Sequence, residues 1–176
     1  RYAAKKIIEK KLKNKILYLK KIFSKINYRN IQKMNLHTPE VSEFSAVIAK
    51  ELKVRKIIKI FQKKYVEQKK TIVLEGRDMS KIFHNADVKF FVVCKPLKIA
   101  AKRRWLQLKN SKKNISLNQV LKDLKKRDFM DRNRKHSPLE RDQESVYINT
   151  AKLNIKAVLD KMSKIIGKKL KDKYGS

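Results

Sequence analysis

The apolar positions of this chain recur with two different periods. Between residues 3 and 26, Ile7, Ile8, Leu12, Ile16, Leu19 and Ile22 fall at helical spacing among lysines, which predicts an amphipathic helix. A polar stretch of low helix propensity follows from 27 to 37. Thr38-Pro39-Glu40 then has the form of a helix start, with a hydroxyl N-cap and proline in the first turn. From there the helical pattern runs to about Lys70, with a break expected near Lys53. Three short apolar runs at 71–74, 88–94 and 146–149 lack that period and predict buried strands. Helices are expected at 97–109 and 116–134. The last segment, 154–170, carries Ile155, Val158, Leu159, Met162, Ile165, Ile166 and Leu170 on one stripe.

Continuously apolar strands separated by helices predict an α/β fold with a parallel sheet covered on both faces. Ligands of such sheets bind outside the carboxyl ends of the strands. Gly76-Arg77-Asp78 follows the first apolar run at such an end. With three Gly and three Pro in 176 residues, long flexible linkers are not expected, and the length suits a single domain.

The formal net charge of +32 changes the picture less than its size suggests. A nucleic-acid-binding module is the alternative it raises. The cations are 38 Lys and only 10 Arg, however, and the lysines are spread evenly. Phosphate or guanine recognition favours the planar fork of Arg, so the lysine excess reads as solvated faces, and no specific nucleic-acid partner is expected. Several of the arginines cluster at 77 and 127–134. The single cysteine, Cys94, excludes an intramolecular disulfide and reads as a buried structural thiol in a reducing compartment. No run approaches the length of a membrane span and no signal peptide is visible, so a cytoplasmic location without membrane partners is expected. The chain opens on Arg1 rather than Met, as a processed chain or a fragment does.

Candidate chemistry lies in the arginine–aspartate segments. Arg77 can grip two phosphate oxygens and Asp78 can accept from an amine or hydroxyl, although a strand-end turn with a surface ion pair has the same residues. Arg127, Asp131 and Arg134 stand at i, i+4 and i+7, either facing a polyanion or forming a solvated charge ladder. Arg103-Arg104-Trp105 lies on the preceding helix, with Trp105 and Leu108 turned to the core. His37, His84 and His136 have no metal spacing, and no metal site is expected. A G-x-x-x-x-G-K-[ST] phosphate loop is absent from the sequence.

Taken together, Glu75-Gly76-Arg77-Asp78-Met79, the run at 88–93, Arg103-Arg104-Trp105-Leu106-Gln107-Leu108, Arg127-Asp128, Asp131-Arg132-Asn133-Arg134 and Pro138-Leu139 resemble bacterial cytidylate kinase. The resemblance implies the fold of the P-loop NTPases and nucleoside monophosphate kinases. It implies phosphoryl transfer from ATP with Mg²⁺ to CMP or dCMP by a monomer. It further implies one domain over 1–176, with a shortened nucleotide-binding insertion at 27–70, a lid at 110–137, and a core of 71–109 with 138–176. Arg1, Arg77 and Arg134 would hold the CMP phosphate, Asp78 and Arg55 would read cytosine, and Arg127 and Asp131 would bind the sugar. Arg77, Arg132 and Arg134 would serve the transferring group, with Arg103 and Arg104 on the ATP side. The family's first strand and phosphate loop should precede Arg1, so this stretch by itself is expected to be inactive. The sequence departs from the pattern at Phe129 and Met130, where the family has an acidic residue and an arginine. It departs also at Ala46 beside Ser45, where a serine reads the nucleoside, and at Ser80-Lys81.

Overall fold

The computed structural model describes residues 1–10, 15–26, 31, 33–36, 38–110 and 115–175. These pack as two compact units, Arg1–Leu74 and Glu75–Ser176.

The first unit is helical. α1 (Tyr2–Lys10) packs on α3 (Pro39–Ile48), and α2 (Lys15–Ser24) packs on α4 (Leu52–Glu67). Ala3, Ala4, Ile7, Leu19, Val41, Ile48, Val54 and Ile57 form its core. The alanines let helix backbones approach closely, and the apolar stripe at 3–26 supplies the buried Ile7 and Leu19; Leu12 and the polar stretch at 27–30 lie outside the described residues. Thr38 caps α3 as its sequence predicts, accepting from the Val41 N–H, with Pro39 in the first turn. The expected break near Lys53 falls at 49–51, between Ala49 as C-cap of α3 and Glu51 at the start of α4.

Residues 71–74 are not a strand, contrary to the sequence expectation. No described strand pairs with them, and Val73 is 92% exposed. An apolar run becomes a strand only when a partner accepts its ladder of hydrogen bonds. Ile72, Val73 and Leu74 instead flank a groove of about 440 Å³ with Tyr2, Phe61 and Tyr65.

The second unit holds α5 (Met79–Ile82), β1 (Phe90–Val93), α6 (Leu97–Asn110), α7 (Leu117–Arg132), β2 (Val146–Asn149) and α8 (Ile155–Tyr174). β1 and β2 are parallel, in register from Phe90 opposite Val146 to Val93 opposite Asn149. The carboxyl ends are clamped by side chains. Asn149 Oδ1 accepts from the Lys95 N–H while its Nδ2 donates to the Lys95 carbonyl, and Thr150 Oγ1 donates to the Val93 carbonyl. α6 packs on α7, and Trp105 Nε1 donates to the Ile115 carbonyl at 2.9 Å. Ser116 and Asn154 cap α7 and α8 through their side chains. α8 ends on Gly175, whose φ of 69° is the left-handed conformation that closes a helix.

Cys94 is half-buried rather than buried, because it lies just past β1 with its sulfur 3.8 Å from Arg103 Nη1. Among the described residues, no helix is long and apolar enough to cross a membrane.

Candidate functional site

The loop at 75–78 enters α5 through a tight approach. A Cβ on Gly76 would stand 2.8 Å from both Cγ and Cε of Met79, so the methionine can fold back over the turn only because residue 76 is glycine. Asp78 sits at the N-cap position of α5.

Asp131, on the last turn of α7, is the hub of the site. Its Oδ2 lies 3.4 Å from Arg77 Nε and 3.8 Å from Arg127 Nε, and its Oδ1 lies 3.6 Å from Arg134 Nη1. Arg134 reaches on to Asp78, with Nη2 at 3.9 Å from Oδ1. Asp128 joins from the neighbouring turn: Arg77 Nη1 donates to it at 3.4 Å and Arg132 Nε at 3.3 Å. Four guanidiniums and three carboxylates thus meet in one network, leaving one positive charge in excess. Asp78, Asp131 and Arg134 are the sheltered members, whereas Arg77, Arg127, Arg132 and Asp128 stay open to solvent. Asp131 Oδ2 is shut off from the surface and accepts no hydrogen bond from the described residues; its arginine neighbours stand at ion-pair distance. A buried acceptor in that condition is rare and invites a donor.

One sequence expectation is corrected here. Arg134 is not on the helix face with Arg127 and Asp131, because α7 stops at Arg132 with Asn133 as its C-cap. It returns to Asp131 through the turn that follows, where Leu139 N–H donates to the Asp131 carbonyl at 2.8 Å. Asp128 was missed as a site residue, although its i, i+4 spacing to Arg132 was readable in the sequence.

The remaining candidates are placed as follows. Arg55, in the first unit, donates to the Ala49 carbonyl at 3.4 Å, and Arg1 lines that unit's groove. Arg103 Nη2 donates to the carbonyls of Thr150, Ala151 and Leu153 at 2.9, 3.2 and 3.1 Å, so its guanidinium ties the start of α8 to α6. Arg104 is exposed and donates to Gln107 at 3.4 Å. Ser45 Oγ donates to the Ser42 carbonyl. His84 is exposed, His136 is half-buried, and His37 lies outside the described residues. No group of three or more His, Cys, Asp or Glu among the described residues is arranged to hold a metal.

The sequence profile of the Cytidylate kinase family matches residues 2–168. The chain belongs to the cytidylate kinase family. Its fold class is accordingly that of the P-loop kinases, of which the parallel β1–β2 pair and the flanking helices are the part described above. A cytidylate kinase of Clostridium botulinum (strain Loch Maree / Type A3) is 36% identical over 135 residues, covering 76% of this chain and 59% of that protein. Those of Clostridium tetani and Geobacter sulfurreducens are 34% and 33% identical over 132 residues each, covering 74% of this chain and 58% and 56% of theirs. The chain therefore spans less than two thirds of the length of these family relatives.

Proposed function

We propose that the network around Asp131 binds the sugar and phosphate of CMP or dCMP, and that the protein transfers a phosphoryl group to that phosphate from ATP. The observation that carries this reading is the buried, unsatisfied Asp131 Oδ2 among guanidiniums. An ionised carboxylate oxygen only accepts, so the group missing there is a donor such as a sugar hydroxyl. The excess positive charge beside it suits a phosphate, which Arg forks bind through two oxygens.

In this reading Asp131 and Arg127 take the sugar, Arg77 and Arg134 take the phosphate, and Asp78 accepts from the cytosine amine. Arg77, Arg132 and Arg134 then spread positive charge over the transferring group, which needs alignment and electrostatic support more than covalent help. Phosphate binding must draw Arg77 part of the way off Asp128. Arg132 on the same carboxylate keeps Asp128 paired when that happens. α7 with the turn after it is the segment that closes over the nucleotide and excludes water. ATP brings Mg²⁺, bound mainly by its own phosphates and water.

Calorimetric titration of the 176-residue chain with CMP, dCMP, UMP, AMP and cytidine tests the assignment. CMP or dCMP is expected to bind at least about tenfold tighter than UMP and AMP, because uracil sets a carbonyl oxygen where cytosine offers its amine to Asp78, and adenine presents its amine from a larger ring system. Equal affinity for all four nucleotides would overturn it.

A further inference from the structure

Ser137 is the one described residue other than glycine with a positive φ, at 51°. Left-handed backbone is uncommon for a residue bearing a Cβ. It is more notable here because Pro138 follows, and proline pushes its predecessor towards extended conformations. Strain of this kind persists when its surroundings fix it.

The surroundings are the site. Arg134 Nε donates to the Ser137 carbonyl. The turn is closed on its other side by Leu139 N–H on the Asp131 carbonyl at 2.8 Å. With Nε tied down, the plane of the guanidinium is set, and its two outer nitrogens face Asp131 and Asp78 at 3.6 and 3.9 Å. An arginine just past a helix end, with four side-chain torsions, would otherwise be poorly directed.

We infer that Ser137 is a positioning residue: its left-handed backbone aims its carbonyl at Arg134 Nε and so orients the Arg134 fork towards the phosphate. The inference rests on the reading of Arg134 as a phosphate ligand, and it predicts that what matters at 137 is backbone conformation rather than the serine hydroxyl. Ser137→Gly keeps both the carbonyl and the conformation. Ser137→Val keeps the carbonyl but resists the conformation, since a β-branched side chain is a poor occupant of left-handed space.

The test pairs two measurements on wild type, Ser137→Gly and Ser137→Val. In ¹⁵N NMR of the arginine side chains, the Arg134 Nε–H is expected to be ordered and slow to exchange in wild type and the glycine variant, and averaged in the valine variant. In calorimetry, Ser137→Val is expected to weaken CMP about tenfold, as misdirecting one charge-assisted contact does, and to leave cytidine unchanged; Ser137→Gly stays within about twofold of wild type for both, as a residue free to adopt left-handed backbone should. An Arg134 Nε–H equally averaged in all three proteins would overturn the inference, and so would equal loss of CMP and cytidine in Ser137→Val, which would mark a general structural role. Should the NMR pattern hold while wild type binds CMP and cytidine alike, the orienting role of Ser137 stands and the phosphate reading falls.

Discussion

At the scale of single residues, Asp131 is where charge and burial meet. It is the shared counter-ion of Arg77, Arg127 and Arg134, so neutralising it leaves three guanidiniums short of one carboxylate. Asp131→Asn is expected to destabilise the protein by about 1–2 kcal/mol in urea denaturation, between the values typical of exposed and buried pairs. Added salt should narrow the difference. Gly76 offers a separate handle on the same site. Gly76→Ala forces Met79 to move and is expected to weaken CMP several-fold, with little change in stability because the Met79 side chain can swing away. Unchanged CMP affinity in that variant would show that the turn adjusts without moving Arg77 or Asp78. Arg77, Asp78, Arg127, Asp131 and Arg134 were all readable as candidates, since arginine is scarce in a lysine-rich chain. The route by which Arg134 returns to Asp131 was not readable. It depends on a backbone conformation at Ser137 that no spacing rule encodes.

At the scale of elements, helices were the legible part because their apolar positions repeat at helical spacing, and at α3 because Thr38-Pro39 also marks its start. Thr38, Ser116 and Asn154 each place a side-chain oxygen on an exposed N–H of the first turn. Asn154→Ala is expected to cost about 1 kcal/mol, read by thermal melting, as N-cap removals do. The strands were legible only where a partner exists. Phe90–Val93 and Val146–Asn149 pair, whereas the apolar run at 71–74 has no strand partner among the described residues, and composition alone cannot tell those cases apart. The far end of α8 carries a pH signature. Asp87 accepts from Lys173 and from the Tyr174 hydroxyl, and these hydrogen bonds, Lys173's first, hold its carboxyl below the usual range, while the Asp87 bond raises Lys173. A lowered carboxyl gives stabilisation that is present above the unfolded value, about 3.9, and lost as pH falls through the lowered folded value. The raised amine gives stabilisation that is full below its unfolded value and lost at alkaline pH. The protection of the amides at residues 170–174, with the intrinsic pH dependence of exchange divided out, should therefore fall at both extremes and stay flat at neutral pH. Asp87→Asn should abolish the acid limb.

At the scale of the whole molecule, the charge of +32 and the site make opposite demands on salt. Non-specific polyanion binding releases counterions and falls steeply with ionic strength, so binding to generic RNA should drop by orders of magnitude between about 50 and 200 mM salt. Binding of CMP involves at most two phosphate charges, and should fall far less over that range. Competition between RNA and CMP, followed by fluorescence anisotropy, separates the two: an RNA signal that CMP displaces at low salt would mean that the arginine network serves polymers as well. Arg103 shows why a lysine-rich protein keeps guanidinium where it does. One nitrogen of its fork shares its two N–H donors among three peptide oxygens at the β2–α8 junction, a task for which a flexible ammonium is poorly pre-organised. Exchanging this single cation for Arg103→Lys, with the charge preserved, should loosen that joint and leave the electrophoretic mobility of the protein untouched, which makes shape rather than sign the quantity this position stores.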